Sequence, residues 1–161
     1  MTPSILGPEY AAENDEFDAR YRARCHCGAV CYEVAADPVD AKICHCRECQ
    51  VLHGAPMQWA AIFQKRDVRL SAGEEHLRFY HAPAHREAHQ QPCKVACRVC
   101  GTLIADEGRR MWLAFPSLFG FETVPAAFRP SAHIFYSARI MDVDDGLLKW
   151  SGHKGQSRLV G

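Results

Sequence analysis

No stretch of the 161 residues forms an apolar run long enough to span a bilayer. Met1 to Glu9 has neither the basic start nor the apolar middle of a secretory leader, so a cytoplasmic location is the default expectation. Charge of one sign is also missing. Nineteen Lys and Arg balance nineteen Asp and Glu, so the positive field that phosphate backbones require is absent, and neither nucleic acid nor membrane is expected as a partner. No segment repeats at a fixed period, which excludes a solenoid. No long stretch has helical periodicity, so helix should be a minority. The nine cysteines are odd in number and cannot all pair as disulfides.

Those cysteines are the informative part of the chain. In a reducing compartment, clustered cysteines act as metal ligands or catalytic groups. Cys44-His45-Cys46-Arg47-Glu48-Cys49 places three of them within six residues. Three cannot pair among themselves, but a short segment can direct three sulfurs at one zinc ion at about 2.3 Å. The alternative, a reduced cluster packed as small apolar groups, fits poorly with the interleaved His, Arg and Glu.

Two further pairs are each followed at once by glycine: Cys25-x-Cys27-Gly28 and Cys97-x-x-Cys100-Gly101. Glycine past a ligand permits the left-handed backbone that folds amides toward sulfur. Two such knuckles make a closed four-thiolate site, the form of structural zinc, and Cys25, Cys27, Cys97 and Cys100 are its expected ligands. Cys44, Cys46 and Cys49 then lack a fourth cysteine. Water, a substrate, His45, His53 or Cys93 would complete their set, and an open position marks a catalytic zinc. Two zinc ions per chain are expected. Zinc with three thiolates carries a formal negative charge, which suits it to holding a fourth sulfur better than to ionising water. Thiol chemistry is favoured over hydrolysis. Arg47, Lys42 and His53 are candidates for steadying a substrate carboxylate or alkoxide. Cys31, on an expected strand, and Cys93 fall outside the division and read as ordinary side chains.

The rest of the chain suggests one mainly β domain over residues 21–150, with an N-terminal arm over 1–20 and a tail over 151–161. Glu9, Glu13, Asp15, Glu16 and Asp18 make the arm polar, and Tyr10 and Phe17 are the residues that would dock it. Strands are expected over 29–34, 57–63, 102–105 and 132–136, and a strand or short helix over 109–115. Residues 68–70 and 76–80 alternate apolar and polar about a Gly73 turn, the pattern of a hairpin. Pro83 to Pro92 reads as a solvated loop, and 119–130 as an aromatic, irregular cover.

These motifs resemble the glutathione-dependent formaldehyde-activating enzyme family, which includes centromere protein V. The marks are Cys25-x-Cys27-Gly28, Cys44-His45-Cys46-x-x-Cys49, Gly54-Ala55-Pro56, Cys97-x-x-Cys100-Gly101-Thr102 and His133-Ile134, together spanning Arg24 to Trp150. The resemblance implies a single-domain β-tent of short antiparallel strands, stapled by zinc at Cys25, Cys27, Cys97 and Cys100 and with a catalytic zinc at Cys44, Cys46 and Cys49. It implies the joining of glutathione to formaldehyde, formally a carbon–sulfur lyase reaction in reverse. Ala96 stands where the family often has an aromatic residue. Two rival readings are a zinc-stapled binding module without catalysis, and a methionine sulfoxide reductase-like enzyme, for which Cys31 or Cys93 would have to be the reactive thiol.

Overall fold

The computed structural model describes residues 5–12 and 16–161; residues 1–4 and 13–15 of the expected arm lie outside the described residues. Among the described residues the regular structure is twelve strands, one seven-residue α-helix and six short 3₁₀ helices. In chain order the strands are β1 (Tyr21–Arg24), β2 (Cys31–Val34), β3 (Asp40–Cys44), β4 (Gln58–Gln64), β5 (Val68–Ala72), β6 (Leu77–His81), β7 (Arg86–Glu87), β8 (Cys93–Cys97), β9 (Leu103–Glu107), β10 (Met111–Ala114), β11 (Ala132–Ile134) and β12 (Leu148–Lys149). The helix α1 (Arg47–His53) lies between β3 and β4. The fold is mainly β, as the strand-rich, glycine-punctuated sequence suggests.

The strands form two sheets, a small one in the order β1-β2-β5 and a large one in the order β12-β11-β3-β4-β10-β9-β8-β6-β7. One continuous core takes Ala23, Tyr32, Val34 and Val68 from the small sheet and Phe63, Val95, Ile104, Trp112 and Ala114 from the large one. Burial of these apolar side chains is the main term holding the sheets together. Phe128 is fully buried and closes one end of the core, with Tyr21, Phe63, Phe119 and Phe121 ringing it at 4.8–5.8 Å between centroids. The Pro-punctuated segment 119–130 is thus a lid on the core.

Two expectations need correction. Residues 68–70 and 76–80 do not form a hairpin, because β5 pairs with β2 whereas β6 pairs with β7 and β8. Gly73, left-handed at φ 87°, is followed by a 3₁₀ turn over Glu74–His76 that carries the chain from one sheet to the other. A Cβ on Gly73 would meet the Ala29 carbonyl oxygen at 2.0 Å, so the crossing needs glycine. Nor are all strands antiparallel: β11 runs parallel to both β3 and β12. Parallel neighbours need long connections, and residues 135–147 supply one between β11 and β12.

The described part of the N-terminal arm and the C-terminal tail are both tied to the sheets. Leu6 and Tyr10 are 2% and 5% exposed, and Ala11 N–H donates to the Val68 carbonyl at 3.1 Å. The Tyr10 phenol donates to the Glu107 carboxylate, and its ring sits edge-on to Trp112 at 5.8 Å. At the other end Val160 N–H donates to Lys149 O, and Lys154 pairs with Asp40 at 3.1 Å. The 83–92 loop is largely exposed but anchored by β7 and by His89, which stacks on Phe79 at 3.9 Å and meets Glu107 at 2.7 Å.

Candidate metal centre

Each cysteine pair in the four-cysteine set sits in a turn whose amides face its sulfurs. Past β1, Gly28 adopts φ 79° and its N–H donates to Cys25 O at 3.1 Å. That turn points Ala29 N–H at Cys27 Sγ (3.4 Å) and Val30 N–H at Cys25 Sγ (3.3 Å). Past β8, Gly101 adopts φ 78° and bonds back to Cys97 O at 2.8 Å. Thr102 joins the two knuckles: its hydroxyl lies 3.1 Å from Cys100 Sγ and accepts from His26 N–H at 3.1 Å. The sequence offers Thr102 only as a motif residue, with no local signal for this bridge. Hydrogen bonding from Thr102, side chain first, pulls the Cys100 thiol down to about 5.

Cys25 and Cys97 are buried and Cys27 is exposed, with sulfurs 3.6 Å apart in Cys25–Cys27 and 3.9 Å apart in Cys27–Cys97. Zinc–sulfur bonds of about 2.3 Å in a tetrahedron put sulfurs roughly 3.8 Å apart. The set therefore fits one tetrahedral ion. It joins the small sheet, through the β1–β2 turn, to the large sheet, through the end of β8.

The three-cysteine set is built differently. Cys44 ends β3, flanked in register by Gln58 of β4 and Ile134 of β11. Cys46 is the N-cap of α1, with an extended backbone and its Sγ accepting from Cys49 N–H at 3.3 Å. Cys49 lies in the first turn, and Cys49 and Cys44 sulfurs are 3.7 Å apart. This spacing also suits a tetrahedral thiolate site. Thiols of Cys44 and Cys49 directed at Cys46 pull its thiol far down, while the same contacts push Cys49 up. Cys44 is likewise pushed up, to about 11, chiefly by Cys46, so the negative charge of the cluster settles on Cys46. Gly54, left-handed at φ 58°, ends the helix by donating to Gln50 and Val51 carbonyls.

Among the described residues, the groups lying within 4.8 Å of one another around this set are Cys44, Cys46 and Cys49 alone. The other side chains considered as fourth ligands point elsewhere. His45 is fully buried, and its Nε2 meets His133 Nδ1 at 2.8 Å, with His133 Nε2 on Asp145 at 2.7 Å. Burial, then the neighbouring His133, lowers the His45 pKa to about 4. Cys93 stands in a third group with His89 and Glu107, where burial and then the Glu107 carboxylate push its thiol up to about 12. His53 Nε2 faces Lys94. Cys31 is half-buried, with its thiol toward Gly28 O at 3.5 Å. Arg47 reaches Gln50 at 3.5 Å.

Beside α1 lies a cavity of about 540 Å³. Leu52 and His53 line it from the helix, Tyr80 from β6, Lys94 and Ala96 from β8, and Gly101 and Leu103 from the second knuckle. A second cavity of about 420 Å³ shares Leu52 and Tyr80 with it and continues past Arg47 and Val51. Ala96 presents only a methyl group to the first cavity. In its wall is a buried polar network that sequence reasoning missed. Lys94 ion-pairs with Asp106 at 2.7 Å and donates to Gln58 Oε1 at 3.3 Å and His53 Nε2 at 3.0 Å, while Gln58 donates to Asp106 at 2.7 Å.

Among solved structures, the chain is similar to a crystal structure of a Rhodobacter sphaeroides protein, a structural genomics target, at 24% identity. The match covers 65% of this chain and 91% of that one, with a TM-score of 0.48. No curated protein matches the chain. The profile of the glutathione-dependent formaldehyde-activating enzymes matches residues 20–138, which takes in all seven clustered cysteines. The two knuckles, the three-sulfur set and this match over most of its length agree: the chain belongs to the glutathione-dependent formaldehyde-activating enzyme family.

Proposed function

We propose that the protein is a zinc-dependent carbon–sulfur lyase of the S-(hydroxymethyl)glutathione synthase type. It joins a thiol such as glutathione to a small aldehyde such as formaldehyde, and cleaves the adduct in reverse. Two zinc ions are bound per chain, a structural one at Cys25, Cys27, Cys97 and Cys100 and a catalytic one at Cys44, Cys46 and Cys49. The single observation that carries this reading is that, among the described residues, the three-sulfur set has no fourth protein ligand within reach, and the helix that carries Cys49 lines with Leu52 and His53 a cavity of about 540 Å³.

When bound there, zinc supplies an open position at which a fourth sulfur is held in its nucleophilic, deprotonated form. The protein's own groups do the rest. The end of β3 and the first turn of α1 fix the three sulfurs, and the last turn of the same helix reaches the cavity with Leu52 and His53. Leu52, Phe79, Tyr80 and Leu103 give the cavity apolar surface that limits water around a reacting carbonyl. Holding thiol and aldehyde together removes much of the entropic barrier to their union. Arg78, half-exposed in the cavity wall, gives it cationic character suited to the carboxylates of a peptide thiol. Balanced surface charge and the nine free cysteines favour a reducing, cytoplasmic setting and a small-molecule partner over nucleic acid.

The test is metal analysis with calorimetric titration of glutathione, followed by ¹³C NMR of labelled formaldehyde with the thiol. Two zinc ions per chain, thiol binding that disappears in Cys44→Ser, and enzyme-dependent adduct formation are expected. One zinc per chain that Cys44→Ser leaves unchanged would falsify the two-site reading. Full metal loading with no thiol uptake and no turnover would leave a zinc-stapled binding module.

A further inference from the structure

Lys94 is the least expected residue of the cavity wall. It is a cation only 6% exposed, and a buried ion pair of this kind rarely adds net stability over apolar packing. Its contacts decide the state of a neighbour. An ammonium group has no lone pair, so an Nζ to Nε2 separation of 3.0 Å requires His53 Nε2 to accept. A neutral imidazole that accepts at Nε2 carries its proton on Nδ1. Asp106 and Gln58 hold Lys94 from the other side, at 2.7 and 3.3 Å. Phe115 meets the His53 ring edge-on at 5.0 Å and fixes its plane. Burial, and then the Lys94 cation, lower the His53 pKa, which agrees with a neutral ring.

The location is as specific as the tautomer. His53 stands four residues after Cys49 on α1, so both project from one helix face, a turn apart. His53 also lines the cavity. We propose that His53 presents its Nδ1–H to the oxygen of the reacting carbonyl, and that Lys94 is the positioning residue that fixes this donor. The proposal deepens the carbon–sulfur lyase reading and rests on it. In the step, the deprotonated sulfur forms a bond to the carbonyl carbon and the π pair moves to oxygen. The Nδ1–H hydrogen bond stabilises that oxygen as charge develops. The oxygen then takes from cavity solvent the proton that the thiol gave up, so His53 starts and ends neutral and no further reactant is needed. Donation from Lys94 into Nε2 holds the ring in the one form that can donate here, much as a fixed neutral histidine serves as electrophile elsewhere.

The experiment is ¹⁵N NMR of histidine-labelled, zinc-loaded protein, alongside kinetics of wild type and three variants. In wild type, His53 should give a protonated Nδ1 and a bare Nε2, a pattern lost in Lys94→Met. His53→Ala should lower kcat by about 10²-fold or more with zinc content and glutathione affinity retained. His53→Asn, whose amide nitrogen falls near the place of Nδ1, should recover part of that loss. Lys94→Met should lower kcat in the same direction and add little in combination with His53→Ala. A protonated Nε2 in wild type overturns the proposal whether or not turnover is seen. So does an active His53→Ala enzyme, and so does a Lys94→Met variant that loses thiol affinity at unchanged kcat, since Lys94 would then anchor substrate. Absence of any carbon–sulfur bond formation by wild type counts against the lyase reading instead, and the tautomer spectra separate the two failures.

Discussion

The two sets of sulfurs have nearly equal spacings, 3.6 and 3.9 Å in one and 3.7 Å in the other, yet they are assembled from opposite kinds of chain. The four-cysteine set takes ligands from two glycine turns some seventy positions apart and ties the small sheet to the large one. The three-cysteine set comes from six consecutive residues at a strand end and a helix start, and it closes almost no loop. A ligand set that closes a long loop contributes to folding, because an ion that binds only the folded chain adds its binding free energy to stability. One that is local is already formed when the ion arrives, and its binding energy is available for chemistry. Similar sulfur geometry therefore does not imply a similar job.

This contrast is broken most directly by serine substitutions, one in each set. Cys97→Ser removes a buried ligand of the staple, and a loss on the order of 5–10 kcal/mol is expected, comparable to the whole stability of a domain. Circular dichroism should show no cooperative unfolding transition. Cys44→Ser should shift the melting temperature by only a few degrees, roughly 1 kcal/mol, while one zinc and all thiol uptake are lost. If Cys97→Ser melted normally and lost thiol binding while Cys44→Ser unfolded, the roles of the two sets would be exchanged.

Smaller substitutions sharpen the contrast by weakening the fold away from both sets. Tyr10→Phe leaves the fully buried Glu107 carboxylate without its phenol partner, at a cost of about 1–3 kcal/mol. Urea unfolding should report that loss with zinc content unchanged, separating fold stability from metal occupancy. The smallest effect is at Asp40. Burial raises its pKa, but hydrogen bonds from Ser131 and Lys154 outweigh it and hold the carboxyl below its ordinary 3.8. The unfolded chain therefore takes up this proton at higher pH than the folded one. The stability from Asp40 is complete above the ordinary value and is lost as pH falls through the lower, folded one. The difference between wild type and Asp40→Asn in urea midpoint should shrink across that acid range.

How much of this was visible in the sequence follows from the range of each interaction. Ligand spacing and glycine after a ligand are local facts, so the division of seven cysteines could be read before any coordinates. The strand-rich character was equally local. Contacts made by register were not. Lys94 and Asp106 face each other because β8 and β9 pair at that register, and nothing in either stretch announces the pairing. The β5–β6 hairpin failed for a related reason: alternating apolar residues report a half-buried strand but not which sheet it joins, and Gly73 directs the chain away. The seating of Tyr10 depends on Glu107 and Trp112, about a hundred positions distant, and Tyr10 was legible only as one of two aromatic residues, with Phe17, in an acidic arm.

The cavity beside α1 has a wall from each centre: Leu52 and His53 follow the three sulfurs, and Gly101 and Leu103 follow the staple. On the proposed two-ion reading, an occupant touches chain whose position both ions help to set, and the two binding equilibria become reciprocal. Whatever factor a filled staple adds to thiol affinity, bound thiol must add to the affinity of the staple for its ion. On that reading a structural metal would act also as an effector, and the supply of thiol would become a term in how tightly the protein keeps the ion.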